Sequence, residues 1–437
     1  MSIGLITAFM FVSMLGLLAV GLPIAFSLGS VASIYALFLW GPAALYAIPG
    51  ICLGAMTNFI LVALPLFIFM GNLLERSGLA DDLYQAMSRW MGPLRGGLAM
   101  GTVLIAAMFA AMAGVTAVAT VTLGLIGVPS MLKRKYDKGI VLGSVMAGGA
   151  LGVLIPPSAP MVIYAFLTGE SVGRMFLGGV VPGLLLTALF VVYIGIRCLI
   201  QPHMGPALPR EERGTFEQKI ISLRAVILPV MLIITVLGGI FSGIATPTEA
   251  AGLGAAGSLV CAAVYRRLTW TTLKEASYQT LKLVGMIMLI LSAATVFANV
   301  YNALGAADLI QSSIAALPVG RYMILIGMQI TWFILGCLLD TTGIMMITIP
   351  VYVPIIKSLG FDPMWFGVLF IVNMEMGFLT PPFGLNLFYL KGVTPPEITM
   401  GDIWRSVTPF VILQAIGLVL CIVFPKIITW LPTLVMG

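Results

Sequence analysis

Charge is what this sequence has least of. Asp, Glu, Lys and Arg make up 9% of its 437 residues, while 60% are hydrophobic. A water-soluble domain carries about 25% charged residues, so this chain lacks the polar surface to stay in water. Histidine is nearly missing, with His203 alone in a polar loop. The five cysteines, Cys52, Cys198, Cys261, Cys337 and Cys421, show no CxxC spacing. These shortages leave almost no material for a zinc centre or for histidine-based acid–base chemistry. Neither a Walker A sequence nor GxSxG occurs, which argues against ATP binding by that route and against a serine hydrolase. The longest polar stretch, 201–222, is too short for an extramembrane domain. No catalytic residue and no cofactor site is expected, and a membrane-embedded enzyme is the least supported class.

Long apolar runs are what the chain does have. Stretches such as 3–22, 59–74, 226–241 and 406–424 approach the ~20 residues that cross a bilayer. The first has no Lys or Arg ahead of it and no cleavage site followed by a soluble body, so it reads as a retained span. The net charge of +6 sits in short loops, as the excess of Lys and Arg in cytoplasmic loops requires. Arg266 and Arg267, the run 133–138, and the segment from Arg197 to Arg224 mark that side. The uncharged stretch 41–57 belongs outside. Spans then fall at about 3–22, 24–40, 58–75, 139–168, 173–197, 223–242, 247–265, 272–298, 363–391 and 402–425, with both termini periplasmic.

Two apolar stretches do not fit a single crossing. Residues 96–131 begin and end on the basic side, turning at Ala113-Gly114-Val115-Thr116. Residues 321–356 do the same from the opposite face, turning at Asp340-Thr341-Thr342-Gly343. Both read as re-entrant helical hairpins, a backbone that survives at that depth only under protein or beside a water-filled cavity. Sliding the chain by 225 residues (354 minus 129) pairs Pro129 with Pro354, Asp137 with Asp362 and Gly152 with Gly377. It also pairs Pro156-Pro157 with Pro381-Pro382, Tyr164 with Tyr389, and one hairpin tip with the other. The hairpins open to opposite sides, so the repeats are inverted, the sequence mark of many secondary transporters. Short amphipathic pieces at 80–90 and 306–317 read as interfacial arm helices.

Each repeat carries a proline-broken span. Two consecutive prolines remove N–H donors and crowd the preceding turn, so the helix must break. The freed carbonyls suit a bare cation, and the N–H groups beyond the break suit a carboxylate. A packed kink without a ligand is the alternative at either break. Two breaks at corresponding positions, each matched to a tip, favour binding. Asp340 reads as an N-cap, an ion-pathway carboxylate or both. Ser158, Asn373 and Asn386 flank the breaks as candidate substrate groups or as helix–helix hydrogen bonders. Glu375 is expected to face a cavity or another subunit. Three signals are discounted. The GxGxxG at 252–257 lies in an apolar helix, so close packing explains it. Thr246-Pro247-Thr248-Glu249 reads as a capping box, and 210–213 as a solvated loop.

The motifs at 149–158 (GALGVLIPPS), 246–252 (TPTEAAG), Leu339-Asp340 with Pro350 and Pro354, and 373–388 (NMEMGFLTPPFGLNLF) resemble the DctM-like large membrane subunit of tripartite ATP-independent periplasmic (TRAP) transporters. The resemblance covers essentially the whole chain. It implies an all-α polytopic protein that imports small organic acids, such as C4-dicarboxylates or sugar acids, by Na⁺-coupled symport across a bacterial inner membrane. It implies an elevator, with transport segments 96–168 and 321–391 moving against a scaffold of 1–95, 169–320 and 392–437. A small four-helix (Q) membrane subunit and a soluble periplasmic substrate-binding (P) protein are the implied partners, each as a separate chain. Sodium sites carried over from the family fall on Gly114, Val115 and Thr116 with Gly152 and Pro156, and on Thr341 and Thr342 with Gly377, Thr380 and Pro382. Many members have a serine-rich first tip; here Thr116 is its one hydroxyl, so the second junction is expected to be the stronger ion site. A stand-alone organic-anion carrier that needs no binding protein is the rival reading.

Overall fold

The computed structural model describes residues 2–436 apart from 115, 307, 308, 311 and 313–317. Among the described residues every regular element is an α-helix or a short 3-10 turn, and no strand occurs. Hydrocarbon offers no water to the backbone, and helices satisfy their N–H and C=O groups within one segment. Seven of the described helices are long and apolar enough to cross a membrane, Val172–Ile200 and Trp270–Ala303 among them. The polytopic all-α architecture read from composition is the one that forms.

The 225-residue repeat is matched element by element. Thr116–Lys133 and Thr341–Ser358 start and end 225 positions apart, and Lys138–Ala150 and Pro363–Leu379 start 225 apart. The first hairpin pairs Gly97–Ala113 with Thr116–Lys133; the second pairs Arg321–Gly336 with Thr341–Ser358. They enter from opposite ends of Val172–Ile200. At the open end of the first, a Cβ on Gly96 would lie 2.8 Å from Cys198 Sγ. Just past the open end of the second, Asp362 pairs with Arg174 at 3.8 Å. Arg174 and Cys198 stand about 36 Å apart along that helix at 1.5 Å per residue, more than a hydrocarbon core is thick.

Both broken spans form. Lys138–Ala150 runs into the 3-10 turn Leu151–Val153 and restarts as Ala159–Thr168, while Pro363–Leu379 restarts as Leu385–Lys391. The Pro156-Pro157 and Pro381-Pro382 bonds are both cis. The half-helix after each break packs on the hairpin of the other repeat: Ala159–Thr168 on Thr341–Ser358, and Leu385–Lys391 on Thr116–Lys133. Tyr164 ties the first half-helix to the start of the other repeat's broken span, its hydroxyl donating to Pro363 O at 2.7 Å. Within the second hairpin, Trp332 Nε1 donates to Thr348 Oγ1 at 2.8 Å, and its ring lies 4.5 Å from that of Phe366.

The surrounding helices pack through small residues, as membrane helices do. In the GxGxxG stretch, Gly254 faces Met70 and Gly257 faces Leu232, so these two glycines serve close approach of Pro247–Val264 to two neighbours, while Gly252 meets nothing within 4 Å. Thr246 and Glu249 form the reciprocal capping box. Leu79–Met91 is the first arm helix; the second, expected over 306–317, falls mostly on residues outside the description.

Two local readings need correction. The uncharged stretch 41–57, read as a loop, folds into the turn Pro42–Tyr46 and the helix Ala47–Met56. Its prolines permit this, because Pro42 and Pro49 occupy first-turn positions that need no N–H partner. Tyr46 and Leu53 stay exposed, as on a helix lying at a membrane surface. A further helix, Lys426–Met436, follows Pro425 and packs along Val172–Ile200, with Met436 against Gly173. The stretch 210–213 is solvated as read, with Glu211 and Glu212 exposed, and is also tied down: Glu212 pairs with Arg134 at 2.8 Å and Arg213 Nε donates to Leu208 O.

Candidate ion and substrate cavity

Gly97–Ala113 ends at Gly114 with φ +60°, and a Cβ there would stand 2.6 Å from Pro157 O. Glycine alone tolerates both conditions, so it lets the first tip close on the first break. The next helix begins at Thr116, whose side chain is 4% exposed and whose Oγ1 has no hydrogen-bond partner among the described residues. Val115 lies outside the described residues.

At the second tip, Asp340 caps Thr341–Ser358. Its Oδ2 accepts from Thr342 N at 2.9 Å and Gly343 N at 3.2 Å. The turn therefore occupies 337–340, earlier than the 340–343 read from composition. Thr341, Thr342 and Gly343 already form the first helical turn, because the carboxylate satisfies two of the donors that a helix start leaves open. Thr341 is also 4% exposed, and its Oγ1 is likewise without a partner. Thr116 and Thr341 are 225 residues apart. The repeat thus places one unpartnered buried hydroxyl at each tip, each costing about 1–3 kcal/mol unless something bonds to it.

Both tips and both breaks line one cavity. Of the residues singled out from sequence, Gly114, Thr116, Asp340, Thr341 and Thr342 reach it. Gly152 and Pro156 are buried beside it, with Val153, Ala159 and Pro160 forming that wall. Gly377 meets the second hairpin backbone to backbone, a Cβ there falling 2.8 Å from Gly336 Cα. Thr380 Oγ1 donates to Met376 O, and Pro382 is exposed; neither lines the cavity, whereas Phe378 and Leu385 do.

The three neutral polar candidates are engaged by protein. Ser158 donates to Val153 O. Asn373 Nδ2 donates to Gln329 O at 2.8 Å and Gln329 Oε1 at 2.7 Å. Asn386 bridges the repeats, accepting from Thr120 Oγ1 at 2.8 Å and donating to Met146 O at 3.1 Å. Glu375 is wholly buried, its carboxylate oxygens lack partners, and it does not line this cavity. Sequence reasoning passed over Tyr389, which does line it, although its match to Tyr164 in the repeat was the available signal. Ile68, Leu283, Met286 and Ile287 complete the wall; nothing in their apolar runs distinguishes them from other membrane-helix residues.

Three helices of ten residues or more, Thr116–Lys133, Ala159–Thr168 and Thr341–Ser358, start at this cavity, as does the short Leu385–Lys391, while Gly97–Ala113 ends there. Helix starts carry positive partial charge and free N–H groups, which favour an anion. The Asp340 carboxylate and the two threonine hydroxyls offer oxygen to a small cation. The cavity therefore presents groups suited to either sign of charge on one set of walls.

The chain matches the family described as "Tripartite ATP-independent periplasmic transporter, DctM component" over residues 11–427. It is similar to the C4-dicarboxylate TRAP transporter large permease protein DctM of Vibrio cholerae, 32% identical over 98% of each chain. The protein of that name from Pseudomonas aeruginosa is 34% identical over 86% of each. Further relatives are named for isethionate, sialic acid and ectoine at 31%, 29% and 29% identity. Among solved structures, the Alcanivorax borkumensis YdaH transporter shares the fold with a TM-score of 0.63 at 16% identity, covering 92% of this chain and 97% of that one. Its motifs, its paired broken helices and these matches together make the chain a member of the DctM family, a large permease subunit of a tripartite transporter.

Proposed function

We propose that this permease imports small organic acids across a bacterial inner membrane, driven by Na⁺. A soluble periplasmic binding protein would deliver the acid, and a small four-helix membrane subunit would complete the assembly. The observation that carries the reading is the convergence of three helix starts and two repeat-matched, unpartnered threonine hydroxyls on one cavity. The relatives named above support the cargo class, since dicarboxylates, isethionate, sialic acid and ectoine each bear an acid group.

Na⁺ at each tip would take the Thr116 or Thr341 hydroxyl together with carbonyl oxygens of the tip and the neighbouring break, Gly152 and Pro156 at the first and Gly377 at the second; Thr380 and Pro382, which do not line the cavity, stand outside this set. Neutralising those oxygens would leave the helix starts free to hold the cargo's acid group, with Asp340 as the fixed charge balancing the ions. Segments 96–168 and 321–391 would then move as the transport body against the remaining helices, closed to both sides in between. The test is uptake into proteoliposomes containing the permease, the small subunit and the binding protein, using labelled succinate, sialic acid and isethionate in turn. Na⁺ replaced by K⁺ at fixed pH is expected to abolish uptake; undiminished uptake in K⁺ rejects the sodium reading. Omitting the binding protein is expected to remove transport as well, and transport without it would favour a stand-alone carrier.

A further inference from the structure

Three of the helices around the tip cavity continue to a second one. Ala159–Thr168, Trp270–Ala303 and Thr341–Ser358 line both. On Trp270–Ala303 the first cavity touches Ile287 and the second touches Thr295, Ala298 and Asn302, beginning about 12 Å further along. Ile290, Leu291 and Ala294 close the face between them, each buried. Positions 287, 291, 294, 298 and 302 share one helical stripe, so the two cavities lie along a single seam with an apolar seal.

The second cleft opens at the end of the molecule away from the basic loops, beside the open end of the second hairpin. Lys357 is the one charged side chain among the described residues that line it. Lys357 is exposed and makes no ion pair among the described residues. Among the described residues at that end, Glu170 and Asp362 are engaged by Arg174, each at 3.8 Å. A cleft lined by one sign of charge with low-dielectric walls focuses its field outward and concentrates counter-ions. An ammonium on a flexible stem holds a passing acid as a point charge, without the bidentate grip of arginine.

We propose that this cleft is an outer docking point for the anionic cargo, with Lys357 attracting it and Asn302 and Thr295 offering hydrogen bonds, before the seal parts and the acid passes to the tip cavity. The proposal rests on the reading of the cargo as an organic acid. Its test needs no uptake. Ala298→Cys places a thiol in the cleft of a Cys52→Ser protein, whose remaining cysteines are buried. Spheroplasts expressing the complete transporter are treated with two membrane-impermeant methanethiosulfonates, one bearing a sulfonate and one a trimethylammonium group. The expected result is labelling by both, with the anionic-to-cationic rate ratio falling roughly three- to tenfold in Lys357→Gln and held in Lys357→Arg. A thiol unreactive toward both reagents, or a ratio indifferent to Lys357, overturns the proposal. Lost uptake in Lys357→Gln with an unchanged ratio also overturns it and assigns the lysine to a protein contact. Failure of Na⁺-dependent uptake, by contrast, leaves the ratio as it is and bears only on the proposed function.

Discussion

Two threonines at equivalent repeat positions carry the sharpest test at the residue scale. Thr116→Val and Thr341→Val keep the shape and delete an unpartnered hydroxyl. With no ligand in play, each substitution is expected to be neutral or stabilising. As ion ligands, each is expected to shrink the rise in Tm that Na⁺ produces over K⁺ in the purified protein. Equal rises in the wild type and both variants would remove the threonines from the ion path. Gly377→Ala is expected to destabilise the protein by about 1–3 kcal/mol, read as a lower Tm, through overpacking against Gly336. Gly252→Ala, with nothing within 4 Å, is the matched control. The threonines were legible because the repeat aligned them. The commitment of Asn386 to Thr120 and Met146 was not, since those partners lie in the other repeat and no local pattern names them.

At the scale of elements, Asp340 separates a cap from a charge. Asn caps a helix about as well as Asp, and alanine costs about 1 kcal/mol more. Asp340→Asn is therefore expected to keep the wild-type Tm while impairing uptake or its Na⁺ dependence, and Asp340→Ala to lose stability as well. Wild-type kinetics with intact coupling in Asp340→Asn would leave only the cap. A double-mutant cycle on Thr120 and Asn386 is expected to give a coupling of about 0.6 kcal/mol, the average for such bonds between membrane helices. Hairpins and breaks could be read from the sequence because proline pairs and small polar tips interrupt otherwise continuous apolar runs. The crossing of each half-helix to the opposite hairpin could not, because a short apolar helix shows which face is buried but not against what. Ala47–Met56 escaped notice for a related reason: without charges or amphipathic spacing, a surface helix and an apolar loop look alike.

At the scale of the whole molecule, the second tip touches a helix outside the hairpins and broken spans. A Cβ on Gly343 would lie 2.4 Å from Ile24 Cδ1, at the start of Ile24–Trp40. If the hairpins and breaks travel as one body, that contact must part in every cycle. An Ile24→Cys, Gly343→Cys pair joined by an oxidant is expected to stop uptake, with recovery on reduction. Full activity at complete cross-linking would exclude movement at this contact. The architecture itself was legible as two inverted repeats around a membrane site, because inversion shows in which side each hairpin opens from.

The tip cavity brings one further obligation. An ion at Thr116 or Thr341 and an acid at the helix starts would share its walls, so neither could bind without altering the other's surroundings. Linkage makes such an influence mutual: if sodium tightens the hold on the acid by some factor, the acid tightens the hold on sodium by that same factor. With that factor above one, such a permease would bind its driving ion most firmly when the cargo is already aboard, which would guard the gradient against leaking through an empty carrier.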